Sequence, residues 1–341
     1  MYGKLIFMAI NWKESNAMPN QVSNQPYISF VVATRNDNYG GDLLHRVNVF
    51  LKALLMLSES HSLPCELIIV EWNPPGEREA LRDAITWPSI SRKYSQVRII
   101  QVSKELHRSL SNPAGLALFE YIGKNVGIRR AKGEYILATN PDVIYNEKLI
   151  DYLTARKLSP KCFYRIDRYD VKSPVPFDLS VEAQLDYCAR NVIRICGYLR
   201  TYENTLKSRL TLRRGWRTYL KNRILHFPFV PAHVNASGDF LLVHRDWWHI
   251  ARGYPELETQ GKPHHIDGLM VNIALASGLK QVILRNPLRV YHQDHGRPDS
   301  AKPISKAVAE AYRRVEQEKK LVIFNGEAWG LGAETLPEAL F

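Results

Sequence analysis

The sequence predicts an α/β fold, a mostly parallel central sheet flanked by helices, on three observations. Short apolar runs rich in β-branched and aromatic residues recur at 27–34, 66–70, 97–102 and 135–138. Segments after the first run and before the last carry apolar residues at helical spacing, as crossover helices between parallel strands do. Each run then empties into polar residues, and the C-terminal ends of strands are where open α/β sheets bind ligands.

The first strand, 27–34, ends in Arg35-Asn36-Asp37 and a Gly40-Gly41 turn, and the next helix carries Leu43, Leu44, Val47, Phe50, Leu51 and Leu54. The second strand delivers Glu71-Trp72-Asn73-Pro74-Pro75. Glu71 reads either as an acceptor for the N–H of a uracil or guanine ring or as a strand-end carboxylate in water. Trp72 reads either as a stacking partner for a base or as a core wedge. No GxGxxG follows the first strand, which argues against a dinucleotide fold. Phe119, Ile122 and Val126 mark a further helix, broken at Gly133. The run at 135–138 suits a strand buried on both faces. It leads into Thr139-Asn140-Pro141-Asp142, where the proline ends the ladder and presents Asp142 beyond the strand. Residues 147–158 read as a helix and 163–168 as one more strand of the same sheet.

Beyond 180 the pattern changes. Residues 181–199 suit an amphipathic helix. From 200 to 223 come eight cations (Arg200, Lys207, Arg209, Arg213, Arg214, Arg217, Lys221 and Arg223) against one acid, Glu203, with aromatics interleaved. Such a segment suits an anionic bilayer or a polyanion, or is a solvated helical face. A strand at 240–243 follows Gly238-Asp239, and His265-Ile266-Asp267 opens an apolar helix. His292-Gln293-Asp294-His295 is the better ligand cluster among the histidines, His264 and His265 being adjacent and divergent on a helix. A helix at 303–320 has Pro303 near its start, and the tail at 324–332 is expected to dock Trp329.

The 341 residues are 45% hydrophobic and 23% charged, ordinary for a soluble globular chain. No apolar run approaches the roughly 20 residues that span a bilayer. The apolar core at 5–10 is too short for a secretory signal, so 1–26 reads as a loose tail, with Met18 as an alternative start. Four cysteines show no CxxC pair and no zinc spacing. They fit a reducing cytoplasm. A formal charge of +12 points to anionic partners without choosing among them.

In order, the Asn125-Val126-Gly127-Ile128-Arg129 helix, the Lys132-Gly133-Glu134-Tyr135-Ile136 strand and the acidic turn resemble the family 2 glycosyltransferases of the GT-A fold. The resemblance covers roughly 27–296. It implies a nucleotide-sugar half at 27–170, a basic insertion at 180–230, an acceptor half at 235–300 and a C-terminal helix and tail at 301–341. It implies an inverting transfer from a nucleotide-diphosphate sugar to a hydroxyl of a glycan or lipid-linked acceptor, as in polysaccharide biosynthesis, while the basic segment is what suggests peripheral attachment to the inner membrane face. Matched to its motifs, Thr34, Arg35, Asn36, Glu71, Asn125, Arg129, Asn140 and Asp142 would bind the donor. Asp142 with His292 and His295 would hold Mn²⁺ or Mg²⁺, although Asn140 stands where the family has its first acid. Gly238, Asp239, Trp247, Trp248 and His265 would line the acceptor side, and Asp267 would be the base. Competing classes are an inactive nucleotide- or sugar-binding relative and a basic nucleic-acid binder. The second is disfavoured because no nucleic-acid-reading module accompanies the cations.

Overall fold

The computed structural model describes residues 25–198, 200–205, 232–295 and 303–341. Nearly all of the expected tail, and residues 206–223 of the basic segment, lie outside them.

β1 (Ile28–Thr34), β2 (Cys65–Trp72), β3 (Ser95–Val102) and β4 (Tyr135–Ala138) form a parallel block in the order β4-β1-β2-β3. Every residue of β1 and β2 is buried, which is why these strands read as unbroken apolar runs rather than alternating ones. Successive side chains still serve opposite layers. Ile28, Phe30 and Val32 pack with α1 (Leu43–Ser60), while Val31 and Ala33 pack with the layer containing α4 (Glu120–Arg130). Two short helices, α2 (Leu81–Ala84) and α3 (Lys104–Ser109), flank β3. The glycines of α4 set its closeness to the sheet. A Cβ at Gly123 would lie 2.8 Å from the Ala33 Cβ, and one at Gly127 would lie 2.5 Å from Val31.

The expected single sheet is corrected to two. β5 (Val143–Tyr145) and α5 (Glu147–Thr154) follow the acidic turn. The run expected as one strand at 163–168 divides at Asp167 into β6 (Cys162–Ile166) and β7 (Arg168–Val171), which join different sheets. The helix expected over 181–199 stops early: α6 (Val181–Arg190) gives way to β8 (Val192–Cys196) and β9 (Thr201–Glu203). Val192, Ile193 and Ile195 are β-branched, and Asn191 closes the helix. β10 (Leu241–His244) runs antiparallel between β4 and β6, and α7 (Arg245–Ala251) follows it. After α8 (Ile266–Ala276), β11 (Lys280–Leu284) pairs parallel with β6. β12 (Val290–Gln293) lies between β5 and β7, giving a five-stranded second sheet ordered β5-β12-β7-β8-β9.

α9 (Lys306–Glu318) packs on α8, and the chain then returns across α4. Trp329 is buried there, as expected, beneath the Arg129 guanidinium 5.1 Å from its ring. A last strand, β13 (Glu338–Leu340), pairs antiparallel with β3 and completes an eight-stranded sheet. Phe341 stacks on Trp87 at 4.4 Å. All four cysteines are buried and free. Among the described residues no helix is long and apolar enough to cross a membrane.

Candidate functional site

The site is built where the two sheets meet beyond the C-terminal end of β4. Asp142 leaves the turn after β4 and enters β5, whose Val143 pairs with His292 of β12, and His292 pairs on its other side with Asp170 of β7. This register places the His292 ring between two buried carboxylates, 3.6 Å from Asp142 Oδ2 and 3.1 Å from Asp170 Oδ1. His295 Nε2 reaches the same Asp142 oxygen at 3.4 Å, and Arg46 Nε stands 3.9 Å from it. The other oxygen of Asp142 is buried with no hydrogen-bond partner among the described residues.

A second group closes the floor. Asn140 donates to Asp239 Oδ1 at 2.7 Å, and Arg168 donates to Asp239 Oδ2 at 2.6 Å. Arg168 and Arg194 both pair with Asp170, and Arg194 also pairs with Asp294. Lys124 of α4, fully buried, donates to Glu120 and Asn140 at 2.7 Å each and to the Gly238 carbonyl at 3.0 Å. It therefore ties the turn at 139–142 to the loop at 237–239. Ser237 Oγ donates to Asp267 Oδ2 at 2.7 Å. A Cβ at Gly238 would lie 3.5 Å from Asp267, 3.8 Å from Asn140 and 3.9 Å from Glu120. The absent side chain leaves these three groups facing one small space.

Charge follows the geometry. Burial opposes ionisation of Asp142, but His292 and His295 outweigh it and hold its carboxyl well below the usual range. Burial likewise opposes the charged His292 ring, yet Asp142 and Asp170 push it up to about 9. Against the same burial, His292, Arg168 and Arg194 keep Asp170 low. Arg165, wholly buried, donates to the carbonyls of His233 and Asn235 at 2.9 Å and holds the loop leading to Ser237 from behind. Desolvation lowers this guanidinium to about 10.

Asp142, His292 and His295 offer ligand atoms within 4.8 Å of one another. The 3.4 and 3.6 Å separations exceed ordinary hydrogen bonds and match neighbouring ligand atoms on one ion with bonds of about 2.0–2.2 Å. One carboxylate, two imidazoles and an unpartnered buried oxygen fit a divalent ion, and the imidazoles suit zinc better than magnesium. Asp170, His292 and Asp294 also cluster, but two guanidiniums already neutralise those acids.

Of the residues expected at the site, Asn140, Asp142, Gly238, Asp239, Asp267, His292 and His295 converge. His265 is exposed beside Asp267 at the start of α8. Arg35 lies at the strand edge, bonded to the Asn73 carbonyl at 2.6 Å and to Asp37. Thr34 is buried, and Asn36 is buried against the Glu79 carbonyl.

Other expectations are corrected. Glu71 is buried, with one oxygen accepting from Leu81 N–H and the other from Gln101, so it closes the loop after β2. Trp72 is a core residue whose indole donates to His107. Asn125 and Arg129 face away from the site. Asn125 is buried and grips both the N–H and the carbonyl of Tyr254, and Arg129 donates to the carbonyls of Glu327 and Trp329. Trp247 and Trp248 are wholly buried, their indoles satisfied by Ser277 and the Ile136 carbonyl, and so do not line an acceptor surface.

Residues not anticipated include Arg46, Glu120, Lys124, Arg165, Arg168, Asp170 and Ser237. The signal for three of them was a charge inside an apolar run: Arg165 within Phe163-Tyr164-Arg165-Ile166, and Arg168 and Asp170 flanking Tyr169. A charge in a buried strand needs a partner.

No family model matches the chain. No curated protein matches it either. Among solved structures it is similar to the crystal structure of S. aureus TarS, at 13% identity and a TM-score of 0.39, over 78% of this chain and 36% of that one. It is also similar to S. aureus TarS 1–349 in complex with UDP-GlcNAc, at 14% identity and a TM-score of 0.45, over 85% of this chain and 66% of that one. The chain thus spans about a third of the first and just under two thirds of the second.

Proposed function

We propose that this protein is a metal-assisted, inverting glycosyltransferase that uses a nucleotide-diphosphate sugar. The observation that supports it is the meeting of three distant stretches, 140–142, 237–239 and 292–295, with Asp267 beyond the end of β4. Asp142, His292 and His295 would hold the divalent ion, which when bound neutralises charge growing on the departing diphosphate. Asp267 takes the proton of the acceptor hydroxyl, and the Ser237 hydroxyl fixes the carboxylate's orientation. Lys124 keeps the donor turn and the acceptor loop in register by holding Asn140 and the Gly238 carbonyl together. The acceptor is a hydroxyl of a glycan or a lipid-linked saccharide. The protein works in the cytoplasm, and the basic segment 200–223 brings it to an anionic membrane surface.

A second reading, a relative that binds the nucleotide or sugar without turnover, is favoured by Asn140 at the first acid position and by the internal bonds that consume Glu71. Calorimetric titration with UDP and GDP, with and without manganese, tests both readings. Binding with turnover of the corresponding sugar nucleotides supports the first, and binding without turnover the second. No binding of either nucleotide at about millimolar concentration rejects both, since pockets built for such ligands bind well below that.

A further inference from the structure

We infer that the cavity at the opposite end of β4 and β10 binds a phosphate-bearing anion. The strands that carry Asn140 and Asp239 at one end carry Lys132 and Arg245 at the other. Four strand residues at about 3.3 Å each keep the two places roughly 10 Å or more apart. The cavity has a volume of about 540 Å³, inside the roughly 300–1,000 Å³ of small-molecule pockets. Arg129, Arg130, Lys132, Arg245 and His249 line it beside Gln25 and Pro26, and among the described residues no carboxylate does.

Two of these cations are held in place chiefly by backbone carbonyls. Arg129 donates to the Glu327 and Trp329 carbonyls, and Arg130 to those of Gly330, Leu331 and Glu334. Carbonyl oxygens orient a guanidinium and leave its charge for a ligand. Arg245 donates to the Lys132 carbonyl, and Lys132 itself is exposed. The acids nearby stand outside the lining and are shared: Glu256 faces Arg129 and is bonded by Asn125, Glu338 faces Arg130 and Lys132 but pairs with Arg98, Glu134 faces Arg245 and Arg156, Glu327 pairs with Arg252, and Asp246 lies beside His244 and faces His249. Guanidinium forks match the oxygens of phosphate, and the ammonium adds a point charge. The cavity exceeds the needs of a single inorganic ion, so a phosphorylated metabolite or a phosphodiester segment is the class it suits.

The test is calorimetric titration of the full chain with inorganic pyrophosphate, in chelator and at low salt, with citrate as the carboxylate control. Wild type is expected to bind pyrophosphate at least about tenfold more tightly than citrate, with affinity falling steeply as salt rises. Lys132→Glu and His249→Glu, both at exposed positions, are expected to weaken binding about tenfold or more while thermal unfolding stays unchanged. Asp142→Asn is expected to bind as wild type does. Absence of binding, or citrate bound as tightly, would overturn the assignment. So would loss of binding in Asp142→Asn with retention in Lys132→Glu, because the anion would then sit at the nucleotide site.

Discussion

The two ends of β4 and β10 treat charge in opposite ways. At the end near Asp142, each buried acid is answered: Asp170 by Arg168 and Arg194, Asp239 by Arg168 and Asn140, and Asp142 by His292 and His295. At the other end, Arg129, Arg130, Lys132 and Arg245 converge with no acid in the lining among the described residues. Helix α4 joins the two, with Lys124 in the first and Arg129 and Arg130 in the second. Internally compensated charges build a rigid, fixed arrangement, as reactions at a defined geometry require. Cations whose acids stand outside the lining build a field in front of them, which suits capture of an anion.

The largest expected effect falls at the compensated end. Asp267→Asn should lower transfer by about 10²–10⁴ while donor affinity stays unchanged, because the amide keeps size and hydrogen bonding but takes no proton. Single-turnover kinetics with donor titration measures both, and undiminished turnover would move the base elsewhere, His265 being next. Lys132→Glu should leave that rate unaltered, which is what separates the two ends.

A pH effect comes next. Glu258 is buried and caps the N-terminus of α4, accepting from Tyr121 and Ile122, and burial pushes its carboxyl from 4.5 up to about 8. Below 4.5 the acid is neutral in folded and unfolded chains alike. Between 4.5 and about 8 only the unfolded chain releases the proton, so stability falls as pH rises through that window. The decline is on the order of a few kcal/mol, at about 1.4 kcal/mol per unit. Glu258→Gln should flatten it, and urea midpoints at pH 5 and 8.5 compare the two proteins. Parallel curves would show that another group carries the pH dependence.

Lys124→Met should cost about 2–4 kcal/mol, since it strands the Asn140 oxygen, the Gly238 carbonyl and the half-exposed Glu120. Lys132→Glu, at the other end, should stay within about 0.5 kcal/mol of wild type. Urea unfolding reads both, and equal losses would erase the distinction between the two ends.

The parallel block was legible because strands buried on both faces must be apolar throughout, as β1 and β2 are. The turn at 139–142 and the histidines at 292 and 295 were legible because polar residues closing an apolar run mark a strand end, whereas Asp267 was picked out by the family resemblance. The second sheet was not. β7 reads Arg-Tyr-Asp-Val, and its charges look solvent-facing until Asp239 and Arg194 arrive from about 24 to 71 residues away. Trp247 and Trp248 looked like surface aromatics, but their N–H groups find partners inside, which is what lets an indole be buried. Asn125 and Arg129 share a helix with Lys124, and motif spacing alone does not say which side of that helix meets the ligand. The contacts do: Lys124 faces Asn140, while the other two hold the C-terminal tail and the Tyr254 turn.

The most direct test of the central claim is calorimetric titration of UDP and GDP into wild type and Asp142→Asn, each with and without manganese. The account predicts that one nucleotide binds wild type at micromolar to sub-millimolar levels, that manganese strengthens binding, and that Asp142→Asn abolishes only the manganese-dependent part. Equal binding by both proteins under every condition would contradict it, because Asp142, His292 and His295 would then have no part in holding the metal and its diphosphate.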